Sequence, residues 1–60
     1  MNIGVIRRLY NVPAKRGNRL RFRGEQLGTI TSATTNCLLR VRMDDGGTAL
    51  LHPTWEVEYL

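Results

Sequence analysis

Arginine alternates with apolar residues twice in this chain, at Arg19-Leu20-Arg21-Phe22-Arg23 and at Leu39-Arg40-Val41-Arg42-Met43. A period of two places every second side chain on one face of an extended strand. Each run therefore predicts a strand with its aliphatic residues inward and its arginines in water. No helix accommodates either run, because a helical face repeats every 3.6 residues. Three further segments read as strands. Thr29-Ile30-Thr31 is short and β-branched, Thr48-Ala49-Leu50-Leu51-His52 follows an Asp-Gly pair, and Trp55 to Leu60 alternates again.

Turn chemistry separates these segments. Asp44-Asp45-Gly46-Gly47 between two alternating runs is a strong hairpin signal. Gly24 and Gly28 bound one loop, Ser32 to Asn36 forms another, and Asn36 tolerates a left-handed backbone. Pro53-Thr54 interrupts the chain before the last run. Residues 1–12 are less defined. Ile3, Ile6 and Tyr10 have helical spacing, Ile3 and Val5 also alternate, and Gly4 weakens a helix. They are expected to form a basic N-terminal arm with a short helical turn or an edge strand. Residues 13–60 then form a single domain.

With 60 residues the chain makes one domain at most, and its core must be small. Alternation predicts a core of Leu20, Phe22, Ile30, Leu39, Val41, Leu50, Trp55 and Val57, flanked by Met43 and Tyr59. Leu27, Leu38 and Leu51 are left facing outward. The expected fold is all-β, a small five-stranded barrel, since closure removes the exposed edges of so small a sheet.

The order of elements supports a resemblance. Gly17-Asn18-Arg19-Leu20-Arg21-Phe22 is followed by Gly28-Thr29-Ile30, then Leu39-Arg40-Val41-Arg42, Asp45-Gly46 and a strand after Pro53. Over residues 17–60 this resembles the SH3-like barrel group that includes KOW and Tudor modules. Val12-Pro13-Ala14-Lys15-Arg16-Gly17 and His52-Pro53-Thr54-Trp55-Glu56-Val57-Glu58-Tyr59-Leu60 are similar to strings in short uncharacterised proteins of phages, prophages and their bacterial hosts. The resemblance implies an SH3-like barrel without fixing an activity. KOW-like modules often bind RNA or the transcription and translation machinery. The aromatic cage of Tudor-like modules is not expected here, because alternation turns Phe22, Trp55 and Tyr59 inward.

Charge points to partners. Nine Lys and Arg against five Asp and Glu give a net +4. Seven of the nine cations lie in residues 1–23, which contain no acid. Such asymmetry suggests a polyanion partner or a basic arm. In an SH3-like barrel the first and last strands pair antiparallel, so Arg19, Arg21 and Arg23 would lie beside Glu56 and Glu58. Cross-strand pairs would consume much of that apparent patch, Arg21 and one neighbour above all. Arg7, Arg8, Lys15, Arg16, Arg40 and Arg42 remain as the candidate nucleic-acid-binding residues. The expected function is weak, phosphate-directed binding of DNA or RNA by a phage- or prophage-type module. The alternative is a protein–protein interaction module or assembly subunit, docking through Leu27, Leu38 and Leu51.

No catalytic residue, cofactor site or metal site is expected. His52 lacks an orienting acid nearby, Cys37 is the single cysteine, and Asp44-Asp45 offers too few ligands for calcium. Gly24 and Gly28 precede no Lys-Ser/Thr and no helix, so they do not make a phosphate loop. No apolar run approaches the ~20 residues that span a bilayer, and the N-terminus lacks a signal-peptide pattern. A cytoplasmic monomer or weak homo-oligomer is expected.

Overall fold

A computed structural model describes residues 3–60. One helix, α1 (Ile3–Tyr10), precedes five strands: β1 (Arg19–Phe22), β2 (Gln26–Ala33), β3 (Leu39–Met43), β4 (Thr48–Leu51) and β5 (Val57–Tyr59). The strands form one antiparallel sheet in the order β4-β3-β2-β1-β5. Consecutive strands pair from β1 to β4, and β5 returns to the free side of β1. The all-β expectation holds. The sheet is not closed by a ladder: among the described residues β4 and β5 stand at its two edges and do not pair.

Of the two forms expected for the N-terminal arm the helical one is found, as two turns over Ile3–Tyr10, and residues 1–2 of that arm lie outside the described residues. Ile6 is fully buried, and Ile3 and Tyr10 pack beside it against the same core. The helix ends because Asn11 takes a left-handed φ of 54°. The Val12 N–H then donates to the Arg7 carbonyl at 3.2 Å, the six-to-one bond of a Schellman motif, with Pro13 just beyond. Eight residues containing a glycine are too few for a stable isolated helix in water. Burial of Ile6 supplies what propensity lacks.

Two tight turns set the strand register. Between β1 and β2, Arg23 and Gly24 both have positive φ (55° and 76°), and the Glu25 N–H closes on the Phe22 carbonyl at 3.3 Å. Between β3 and β4, the Gly46 N–H donates to the Met43 carbonyl at 3.0 Å. Gly46 itself sits at φ 102°, the left-handed position that follows a tight turn in a three-residue hairpin loop. The Asp-Gly signal is thus realised. In the loop after β2 the left-handed residue is Cys37 (φ 62°) rather than the expected Asn36.

Inside the sheet lie Leu20, Ile30, Leu39, Val41, Met43 and Leu51, joined by Ile6 and Ala14. Gly28 lets the strands approach, since a Cβ there would meet Val41 Cγ1 at 2.5 Å and the Arg42 carbonyl at 3.1 Å. Phe22, Val57 and Tyr59 are half-buried at the margin of this core.

Two expected core residues are outside. Leu50 is 54% exposed and Leu51 is 5% exposed, the reverse of the expectation. Register is the reason. Leu39 opposes Leu51 and Arg40 opposes Leu50, and directly opposed residues share a face. Trp55 is the other correction, at 52% exposed. The alternation Trp55-Val57-Tyr59 breaks because Glu56 adopts φ 53°, which is not a strand conformation. Trp55 therefore stays in the β4–β5 loop, and Pro53 is the loop residue that is buried.

Candidate nucleic-acid interface

The outer face of the sheet carries the arginines. Arg19, Thr29, Arg42 and Thr48 form one row across β1, β2, β3 and β4. Arg21 stands between Glu58 on β5 and Leu27 on β2. Three of these cations are neutralised. Arg21 meets Glu58 at 3.0 Å, Arg23 meets Glu56 at 2.7 Å, and Arg19 meets Asp44 at 2.6 Å. The cross-strand pairing of Arg21 and a neighbour with the glutamates is as expected. The Arg19–Asp44 pair is not, since Arg19 was expected beside Glu56 and Glu58.

Arg19 and Asp44 form a bidentate fork, with a second bond at 2.8 Å and a further Arg19 contact to Thr29 Oγ1 at 2.9 Å. The hydrogen bonds from Arg19 hold the Asp44 carboxyl below its usual value of 3.8, and the same bonds raise Arg19. A carboxylate lowered in the native state stabilises the fold fully above its unfolded value. That contribution is lost as the pH falls below 3.8, through the lower native value. In a carboxyl-detected NMR titration Asp44 is expected to protonate below 3.8. An Arg19→Ala variant should return it to the usual value, and an unmoved midpoint would contradict the fork.

The remaining cations are Arg7, Arg8, Lys15, Arg16, Arg40 and Arg42, opposed by two carboxylates outside ion pairs, Glu25 and Asp45. Among the described residues no ion pair involves any of these six. Five of them are exposed, and Arg7 is half-buried. Arg7 Nε donates to the Ala14 carbonyl at 2.9 Å, so part of its guanidinium serves to tie α1 to the following loop.

β2 brings two of the groups to one region. The Gly17 N–H donates to the Ile30 carbonyl at 2.7 Å, and the Ile30 N–H donates to the Asn18 carbonyl at 2.9 Å. The turn holding Lys15 and Arg16 is thereby stitched to one side of β2. On the other side, a bulge at Thr31 lets its hydroxyl donate to the Arg40 carbonyl at 3.0 Å. Strand spacing puts the Arg16–Gly17 backbone and β3 about 10 Å apart across β2. Arg42 edges a shallow depression of about 440 Å³ with Thr29, Thr31 and Gly46. The two carboxylates outside ion pairs line an adjoining depression with Leu27, and Met43 and Asp44 line both. Arg8 is exposed on α1, the helix that packs against β2.

The apolar docking surface expected at Leu27, Leu38 and Leu51 is not formed. Leu51 is buried, and Leu27 and Leu38 are half-buried. His52 has a structural position: the Thr54 N–H donates to its Nδ1 at 3.1 Å, and Tyr10 meets the ring edge-on at 5.1 Å. Tyr59 donates its hydroxyl to the Pro53 carbonyl at 2.7 Å, and burial raises its pKa. Among the described residues no group of three or more His, Cys, Asp or Glu is placed to hold a metal, and no helix is long and apolar enough to cross a membrane.

Trp55 is the feature that alternation missed. Its ring lies 6.1 Å from Phe22, and the Arg23 guanidinium sits 5.1 Å from the centroids of both rings. Nothing in the residue pattern reports the left-handed Glu56 that leaves it outside. Comparison with protein-family models, curated proteins and solved structures finds no match.

Proposed function

We propose that this chain is a non-enzymatic SH3-like barrel of phage or prophage type that works in the cytoplasm and binds nucleic acid weakly through phosphate. The pairing of β1 with both β2 and β5 supports the barrel, because closure then needs only β4 and β5 to approach. One observation carries the binding reading. Three arginines are cancelled by ion pairs, yet six cations remain, and Lys15, Arg16, Arg40 and Arg42 flank the same segment of β2. Arginine forks suit phosphate oxygens, and contacts of this kind position a backbone without reading its sequence.

Binding through four to six phosphates releases counterions, so log K should fall linearly with log salt. Fluorescence anisotropy with labelled duplex and single-stranded oligonucleotides tests this. The expected result is a Kd of about 10⁻⁴–10⁻⁶ M near physiological salt, tightening steeply as salt is lowered and varying little with sequence. No binding at low salt, or an affinity that ignores salt, would overturn the proposal.

A further inference from the structure

We propose that Trp55, with Phe22 and Arg23, is a stacking site for an unpaired nucleobase, which makes single-stranded nucleic acid the preferred ligand. This rests on the phosphate-binding reading above.

The argument starts from cost. A chain of this size folds with little margin, and its single tryptophan could bury more apolar area than any other side chain. Instead Trp55 is 52% exposed. It is also held in place. The Trp55 backbone N–H donates to the His52 carbonyl at 3.3 Å and fixes the loop, while the ring itself is flanked by Phe22 and met by Arg23, which lies against both rings at 5.1 Å. Arg23 is fixed in turn by Glu56 Oε2 at 2.7 Å and by its own N–H on the Glu56 carbonyl at 2.9 Å. An exposed aromatic that is already ordered loses little conformational entropy when a flat ligand covers it.

Charge selects the ligand. The protein carries +4, and six of its cations have no ion pair among the described residues. Proteins that bind single strands without sequence preference combine basic tracks with aromatic rings that receive the bases. Arg23 against Trp55 brings both elements to one point. Its pair with Glu56 is solvent-exposed, with side chains 57% and 45% accessible. Such pairs contribute little, so a phosphate can compete for the guanidinium while the adjacent base covers Trp55. A duplex keeps its bases stacked on one another and offers the indole none.

Trp55 is the chain's only tryptophan, so its emission reports this site alone. The experiment titrates the full chain with oligo(dT) of about a dozen nucleotides, with a matched duplex, and with inorganic polyphosphate, which has the charge but no bases. Oligo(dT) is expected to quench Trp55 emission, while duplex and polyphosphate bind with little quenching. Trp55→Ala should weaken oligo(dT) binding about 5- to 160-fold, the range of one base–aromatic stack, and leave polyphosphate binding unchanged. Trp55→Phe should recover part of the loss, and amide NMR spectra confirm that both variants are folded. Oligo(dT) binding without quenching, or without loss in Trp55→Ala, overturns the stacking site but leaves the phosphate reading standing. Failure of all three probes to bind overturns both.

Discussion

Ile6→Ala is expected to destabilise the protein by about 2–5 kcal/mol, the usual range for emptying an aliphatic side chain from a packed core. Domains of this length have a total stability of roughly 3–9 kcal/mol. One substitution in the N-terminal helix should therefore remove a large share of the margin of the whole sheet. The reason is geometric. Ile6 is fully buried in one cluster with Leu20, Ile30, Leu39, Val41 and Leu51, so its cavity would open in the core that the strands share. Urea denaturation followed by far-UV circular dichroism measures the effect. Leu9→Ala is the control, since Leu9 on the same helix is 63% exposed. A change within about 0.5 kcal/mol is expected there, as for an ordinary surface site. If Ile6→Ala behaved like Leu9→Ala, the helix would be an ornament on an independent sheet. The expected outcome makes it part of the folding unit, and the placement of Arg7 and Arg8 then depends on core packing.

That dependence explains what the residues alone could and could not reveal. β1 and β3 were legible because strict alternation fixes both the period and the face, and the Asp45-Gly46 turn fixed their hairpin neighbour. The β1–β5 pairing and the Arg21–Glu58 ion pair followed from the resemblance and from charge. The helix was legible only as one of two alternatives, because Ile3, Gly4 and Val5 have weak local preference and tertiary burial decides the matter. The Leu50–Leu51 choice was not legible either, since in two adjacent leucines a shift of one residue exchanges core and solvent. The Trp55 position turned on a single left-handed residue, Glu56, of a type that seldom adopts that conformation. The candidate interface was half legible. Its six cations can be found by subtracting the pairs expected between the end strands. The Arg19–Asp44 fork spans 25 residues of sequence and emerges only when the β3–β4 turn is placed beside β1.

The fork matters because it separates two explanations of binding. If net charge alone attracts nucleic acid, any two arginines are equivalent. If a surface does so, Arg40 and Arg42 should count for more than Arg19 and Arg21, whose forks are engaged by Asp44 and Glu58. Arg40→Ala with Arg42→Ala is expected to lower oligonucleotide affinity roughly 10- to 60-fold near 0.1 M salt, and to flatten the log–log salt slope by about 1.8 on duplex. Each lost contact removes close to one released counterion. Arg19→Ala with Arg21→Ala makes the same change in net charge. It should weaken binding less, because the guanidinium forks of Arg19 and Arg21 are held by Asp44 and Glu58 and make no direct phosphate contact, so their loss acts only through the screened field. Anisotropy titrations of both double variants at several salt concentrations give the comparison. Arg40 and Arg42 are exposed on β3 and make no ion pair among the described residues, so their removal should leave the urea midpoint nearly unchanged. Equal losses in the two variants would reduce the interface to bulk charge. A large difference would locate it on the outer face of β3, where the bulge at Thr31 and the turn at Lys15–Arg16 meet across β2.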